Sequence, residues 1–336
     1  MLTMDVFKQD AFSAISLTEA VRKSQTIPGL IGALKLFTPK PVRTRTVAVE
    51  VKGNTLNIVQ TSEPGAPRTR RANNKGDIRD LRVRRIEEAS TITAEQLQGI
   101  RAFGSETELK SLQTEVAERQ QDCIDDLSAT VERLRLSCIN GILLDADDTV
   151  IYDYYATFGI SQPTEIDFGW SSRTKCKQFV ASNVTRPILR ALGEKAIPGM
   201  RIVALCGDDF YDELQENSEY RDTYKNTEKA SELLKDTVFQ AIDAWGVTWI
   251  NYRGTDDNSK VAVPVAKAKF FPVGVRGLFQ EAFAPAPTFS LVNTLGQEWY
   301  SRIIVDKDRE EWADIEIESH RLPICTRPDA LLQGDK

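Results

Sequence analysis

The spacing of apolar residues changes along the chain, and each change predicts an element. Before Lys40, Ser16 to Lys23 forms one amphipathic segment behind a candidate cap at Ser16, and TIPGLIGALKLF (Thr26 to Phe37) follows it. In that second piece apolar residues alternate with Gly and Pro, which suits an arm lying on a surface, or a flexible terminus, better than a core helix. Thr44 to Gln60 then shows strand alternation twice, as TVAVEV and TLNIVQ, around Lys52-Gly53-Asn54. That pattern predicts a hairpin. The next stretch, Thr61 to Asp77, is rich in Pro, Gly, Asn and Arg and almost free of large apolar residues. Such a long two-stranded excursion is marginal in water by itself, so it is either mobile or held by another chain.

Thr93 with Gln96 forms a candidate capping box for a short helix near Ala94 to Ala102, and Ser105 with Glu108 forms a second. From there Leu109, Leu112, Val116, Ile124, Leu127, Val131 and Leu134 recur at helical steps up to Asn140-Gly141. The spacing predicts a helix from Glu106 to Cys138, long by the standard of globular helices. Its single apolar stripe, interrupted around Arg119 and Gln120, suits a helix lying across a sheet; a coiled coil is the alternative.

Gly141 to Gly159 reads as two strands around a turn at Ala146-Asp147-Asp148. After Phe168 and Trp170 the pattern becomes α/β: a helix near Arg186 to Leu192, an apolar strand Ile202 to Cys206, a helix with Leu233, Leu234, Val238 and Ile242, and a strand Val247 to Tyr252. This stretch predicts a lobe of its own, followed by a β-rich ending.

Composition narrows the function classes. At 336 residues, 41% apolar and 27% charged, the chain has room for two compact lobes and an extended segment. No run approaches the ~20 apolar residues of a membrane span, and the N-terminus lacks the order of a signal peptide, so a cytosolic protein without membrane contact is expected. Five widely spaced cysteines with no CxxC, and a single histidine, His320, suggest buried thiols and argue against zinc or histidine chemistry. The net charge of −6 is uneven: Lys35 to Arg85 holds thirteen Lys or Arg against four Asp or Glu, a local +9 that leaves −15 elsewhere. Opposite blocks of this kind are solvated faces, contacts to membrane or nucleic acid, or complementary surfaces on neighbouring copies.

One catalytic constellation stands out. Asp145-Ala-Asp147-Asp148-Thr149, after Ile142-Leu143-Leu144, resembles the first motif of haloacid-dehalogenase-type phosphotransferases, and Gly207-Asp208-Asp209 resembles their Mg²⁺-holding pair. Against it, the motif follows a helix stop and runs straight into a second strand, Asp148 takes the place of the usual Gly, and no phosphate-binding Lys stands between the acidic sites. Arg68, Arg70 and Arg71 could grip a nucleic acid but lack interleaved aromatics, and Trp245, Trp249 and Tyr252 fit packing better than base stacking. No GxGxxG, Walker or HExxH pattern is present, and nothing demands a cofactor.

A family resemblance covers nearly the whole chain. PVGVRGLFQEAFAPAP (Pro272 to Pro287), VNTLGQEWY (Val292 to Tyr300) and IESHRLPICTRPDALL (Ile317 to Leu332) resemble the C-terminal signature of the phage major capsid protein E family, the lambda-type head subunits. IPGLIGALKLF, the TVAVEV hairpin, ITAEQLQGIRAFG, GILLDADDTVIYDYYATFG, VALCGDDFYDEL and NYRG through FFPVGVRGLF resemble its segments in the family's order. Departures are local: Asp148 where the hairpin usually turns on Gly, and Ser319-His320-Arg321 where Ser-Asn-Pro is typical.

The resemblance implies an α+β, HK97-type major capsid protein fold. Residues 1–43 would be an N-terminal arm, 44–85 an extended β-hairpin loop, 86–173 a peripheral domain with spine helix 106–138, 174–286 an axial domain, and 287–336 a return to the peripheral sheet. It implies self-assembly in hexamers and pentamers into an icosahedral, virion-forming shell that encloses double-stranded DNA without reading its sequence. Scaffolding protein, portal and a head decoration protein would be partners, assembly would take place in the bacterial cytoplasm, and catalytic residues, metal and cofactor would be absent. Arg68, Arg70, Arg71 and Lys75 on the loop would contact neighbouring subunits. The alternatives are a Mg²⁺-dependent phosphohydrolase using Asp145 and Asp147, and a nucleic-acid-binding scaffold.

Overall fold

The computed structural model describes residues 12–23, 29–51, 77–98, 105–225, 241–252, 261–309 and 311–336. Packing divides the chain into two units, one drawn from residues 1–47, 81–132 and 280–324, the other from 48–80, 133–279 and 325–336.

The first unit is organised by the long helix Ser105–Ile139, whose 35 residues extend the predicted range by one at each end. At ~1.5 Å per residue it is a rod of about 52 Å. Gly141, with φ of 80°, supplies the left-handed turn just beyond its end. The predicted stripe is the buried face: Cys123, Ile124, Leu127 and Val131 pack with Val21, Trp299 and Ile317, while Leu112 and Val116 pack with Phe12, Leu17, Ile92 and Ile315. The helix therefore lies on strands and on an N-terminal helix, as a one-stripe helix requires, and not in a coiled coil. Where the stripe breaks, Gln120 turns inward. Its Nε2 donates to Ser301 Oγ at 2.8 Å, and the Ser301 N–H donates to Thr18 Oγ1 at 3.2 Å, so the break is a polar tie inside the contact.

The sheet beneath has five strands. Thr38–Pro41 runs parallel to Phe279–Phe283, which neighbours the long strand Trp312–Cys325; Tyr300–Val305 and Arg84–Thr93 both pair with that strand in antiparallel fashion. Along Trp312–Cys325, Ala313, Ile315 and Ile317 are buried in alternation, and from Glu318 onward every residue is buried. The short helix Ala94–Gln98 starts as the capping box predicts, with the Thr93 N–H donating to Gln96 Oε1 at 3.2 Å.

The N-terminal helix runs Ala14–Lys23, two residues earlier than its pattern suggests. Its cap is Ser13 and not Ser16: Ser13 Oγ accepts from the Ser16 N–H at 3.3 Å. The Gly- and Pro-rich piece after it is also folded onto its own unit. Leu30–Ala33 makes a helical turn with Ile31 wholly buried, and Thr38–Pro41 becomes the sheet's edge. Val42 donates its N–H to Phe283 O at 2.8 Å, so by strand alternation Pro39 and Pro41 sit where an N–H would face away from the sheet.

In the second unit a six-stranded sheet has the order Ile166–Asp167, Leu332–Asp335, Lys267–Val273, Arg201–Cys206, Val247–Asn251, Ala241–Ala244. Arg201–Cys206, buried throughout after its first residue, is parallel to Val247–Asn251 and antiparallel to Lys267–Val273. Phe168, Trp170, Phe210, Trp249 and Phe270 form an aromatic cluster on this sheet with ring centroids 4.8 to 6.2 Å apart. Trp249 and Tyr252 are buried and Trp245 stacks on Trp170, so all three are packing residues.

One predicted helix is corrected here. Ile242 lies in the strand Ala241–Ala244, joined to Val247–Asn251 by the two-residue turn Trp245-Gly246, in which both residues have positive φ. That is the geometry a tight hairpin demands; Leu233, Leu234 and Val238 lie outside the described residues. The predicted helix Arg186–Leu192 is present, preceded by Cys176–Val180 and a wider turn, Ala181–Thr185, with i→i+5 bonding. Pro187 has no N–H to continue the regular ladder, and the Phe179 carbonyl is taken up by Ser182 Oγ and Asn183 Nδ2, each at 3.0 Å.

One buried carboxylate fixes the second helical turn of the first unit. Glu132, on the long helix and 2% exposed, accepts from the Ile31 N–H at 2.7 Å and the Gly32 N–H at 3.3 Å. A Cβ on Gly29 would collide with the Glu132 side chain. Glu132→Ala leaves both donors without this acceptor, and a loss of about 1–3 kcal/mol is expected in equilibrium denaturation. An unchanged midpoint would show that the turn is held by other contacts.

Candidate functional site

The acidic hairpin is the first place where chemistry was expected. Ile142–Leu144 and Val150–Asp153 pair antiparallel, and the intervening aspartates are tied into the turn. The Asp145 N–H donates to Thr149 O at 2.9 Å, and Asp145 Oδ1 accepts from the Ala146 N–H at 2.7 Å. Asp147 Oδ1 accepts from the Thr149 N–H at 3.1 Å and from its hydroxyl at 2.7 Å. Asp148 pairs with Arg133 and has φ of 66°, the left-handed position where Asp substitutes for Gly at modest strain. The chain beyond is a strand only to Asp153, which caps the helix Tyr154–Phe158 by accepting from the Tyr155 and Ala156 N–H groups.

The second acidic pair is likewise engaged. Asp208 accepts from Asn251 Nδ2 at 2.9 Å, and Asp209 meets Lys336 Nζ at 3.2 Å at the start of the helix Asp208–Glu216. No group of metal-ligating side chains occurs among the described residues. This geometry is that of turns and helix starts and lends the phosphohydrolase reading no support. The five cysteines are buried and unpaired with one another. Burial pushes the thiols of Cys123 and Cys325 up, to about 11 and about 12 respectively, which removes their nucleophilic form at neutral pH.

The loop residues Arg68, Arg70, Arg71 and Lys75 lie outside the described residues, as does TLNIVQ. The base of the loop is described: Thr46–Val51 pairs with Asp77–Arg82. Val47, Val49, Leu81 and Val83 are its buried residues, and the Val83 N–H donates to Arg45 O at 2.9 Å.

In the first unit an open groove of about 510 Å³ is lined by Arg43 to Arg45 and by Pro285 to Phe289, Val292 and Asn293. Phe289 is fully exposed, and Val292 and Leu295 are each about half exposed, 54% and 53%. The groove wall is held from behind. The Gly296 N–H donates to Val42 O at 2.9 Å, and a Cβ on Gly296 would strike the Phe283 carbonyl.

A buried polar node in the same unit was not legible in the sequence. Arg321, 1% exposed, reaches Glu281 Oε1 at 3.2 Å, Ser319 Oγ at 2.8 Å and the Glu298 carbonyl at 3.1 Å. Its guanidinium lies 4.5 Å from the Trp299 ring centroid. Next to it, burial works against the charge of Glu318, yet His320, Arg302 and Arg85 together hold its carboxyl below the ordinary value. The departure Ser319-His320-Arg321 was the available signal; its meaning needed the partners Glu281 and Glu298, about forty and twenty residues away. Arg321→Met strands Glu281 in the core, and a loss of about 3–5 kcal/mol is expected in denaturant titration. The double variant with Glu281→Leu should be more stable than Arg321→Met alone; equal stability would mean that Glu281 does not need Arg321.

Comparison with known proteins follows from this geometry. The model of the family described as phage major capsid protein E matches residues 13–336. The major capsid protein of Salmonella phage Felix O1 is 25% identical over 371 residues, covering 97% of this chain and 96% of its own. That of Pseudomonas phage KPP10 is 23% identical, with 97% of each chain covered. Among solved structures, a protein described as a prophage capsid protein of E. coli CFT073 superimposes with a TM-score of 0.59 at 13% identity, over 96% of this chain and 98% of that one. The mature capsid of bacteriophage PhiM1 gives 0.50 at 10% identity, over 93% and 88%. At such identities the two structures bear on the fold alone.

Proposed function

Since this chain belongs to the phage major capsid protein E family and has the HK97-type capsid fold, we propose that it builds the head of a tailed phage or prophage by self-assembly into an icosahedral shell around double-stranded DNA. The carrying observation is the match of a capsid family to residues 13–336 of the 336. Its role is that of a structural subunit in hexamers and pentamers. Scaffolding protein, portal and a head decoration protein are its proposed partners, the host cytoplasm its place of assembly, and the DNA is enclosed without sequence reading. Among the described residues no helix is long and apolar enough to cross a membrane.

In this reading residues 1–43 are the N-terminal arm, 44–85 the extended loop, 86–173 and 287–336 the peripheral domain around spine helix 106–138, and 174–286 the axial domain, whose sheet also takes in the short strands Ile166–Asp167 and Leu332–Asp335. The loop, with Arg68, Arg70, Arg71 and Lys75, reaches an acidic surface of an adjacent subunit. The charge of +9 between Lys35 and Arg85, against −15 in the remainder, supports that direction.

Reversing Arg68, Arg70 and Arg71 to Glu tests the loop contact. Each rim charge is worth roughly 0–1 kcal/mol, and such charges mostly steer association, but the effect recurs at every equivalent interface. The triple variant should keep the circular dichroism and melting temperature of the parent while losing shell yield. Normal shells at low salt would leave the loop a solvated tip; loss of folding would place it on its own subunit.

A further inference from the structure

Among the described residues, the groove behind Arg43 and Arg45 and the acidic hairpin are exposed features that the fold does not account for. The groove is apolar along Pro285 to Val292 and carries Arg43 and Arg45 at its rim, both exposed. Neither arginine has an ion-pair partner among the described residues. Three large apolar side chains stand open to water on the same loop: Phe289, Val292 and Leu295. A patch of this kind, rimmed by charge, marks a contact surface.

The side chain that fits it must be apolar, exposed and surrounded by negative charge. Among the exposed large apolar residues, Leu189 lies between Arg186 and Arg190, Ile197 follows Lys195, Val265 precedes Lys267, and Ile304 leads into Asp306-Lys307-Asp308-Arg309 with both signs. Ile15 has serines beside it. Val150, 61% exposed, follows Asp145, Asp147 and Asp148 on a turn whose residues 145–150 are all exposed. That turn is also rigid: the bonds from Asp145 and Asp147 to Thr149, with the Arg133–Asp148 pair, fix its shape in advance. Docking it therefore orders little that is not already ordered.

We propose that the turn Asp145 to Val150 of one subunit seats in the Arg43–Arg45 groove of a second copy of this chain, with Val150 on the apolar wall around Phe289 and Val292 and the Asp145 and Asp147 carboxylates at the arginine rim. This rests on the assembly reading above and names one of its interfaces. Because turn and groove are different patches, the contact is head-to-tail: in a joined pair one copy keeps a free groove and the other a free turn for further neighbours. Contacts of that type propagate into rings and closed shells, whereas a patch that pairs with itself stops at a dimer.

The test is a charge swap in the full chain. Arg43→Asp with Arg45→Asp, and separately Asp145→Lys with Asp147→Lys, should each cut the assembled fraction in sedimentation at low salt by at least about tenfold. All four changes in one chain should restore assembly. Independently, Val150→Cys with Phe289→Cys, in a chain whose own cysteines are buried, should give disulfide-linked ladders of subunits on oxidation of assembled particles. Unimpaired assembly of either reversed variant, failure of the fourfold variant to recover while its circular dichroism is unchanged, or particles without cross-linked ladders would each overturn the proposal and leave the capsid reading intact. Failure of the unaltered chain to assemble under any condition would overturn both.

Discussion

The contact between the long helix and the long strand is the one on which the first unit depends. Ile124, Leu127 and Val131 meet Ile317 and Trp299, and Leu112 and Val116 meet Ile315 and Ile92. Each side chain so buried contributes on the order of 1.5–3 kcal/mol relative to exposure, and neither element buries that surface by itself. The 35-residue helix draws most of its stability from packing its apolar face, and a 14-residue strand needs its alternating face covered. Once they are joined, the neighbours have fixed places. The N-terminal helix fills the gap with Leu17 and Val21, Gln120 sets the register through Ser301, and Glu132 holds the turn at Ile31.

What the sequence reveals follows from how local each cause is. The helical stripe, the capping box at Thr93 and Gln96, the stop at Asn140-Gly141 and the apolar strand near Ile202 to Cys206 depend on neighbours within a few residues, and all appear in the structure. The strand at Ile242 was hidden because four apolar residues at helical spacing fit a helix until Trp245-Gly246 is recognised as a two-residue turn. Cap position at Ser13 was hidden because two serines, Ser13 and Ser16, lie within reach of one helix start. The pairing of Thr46–Val51 with Asp77–Arg82 could not be read from alternation, since strand patterning gives the face and not the partner.

Of the candidate sites, the acidic motif looked chemical in one dimension because its spacing matches a catalytic pattern. In three dimensions its carboxylates accept hydrogen bonds from the next residues along the chain, which is the ordinary behaviour of Asp in a turn. The Arg321 node is the reverse case, marked in sequence only by the departure Ser319-His320-Arg321 and dense in structure. A buried ion pair of this kind adds little net stability over an apolar replacement. What it does is geometric: by binding the Glu298 carbonyl and Glu281, it pins both ends of the segment that carries Phe289 and Val292.

Pro39 and Pro41 at the edge of the five-stranded sheet bear on a hazard that comes with abundance. A subunit made in large numbers meets its copies at high concentration, and an open strand edge is a template for indiscriminate pairing. With prolines at the outward positions, that edge offers a broken row of donors to any incoming strand. Backbone-to-backbone stacking, the route to fibres and amorphous aggregates, is hindered there by two missing donors. At that edge, copies are left to meet through shape and charge, which are specific, more than through main-chain pairing, which is not.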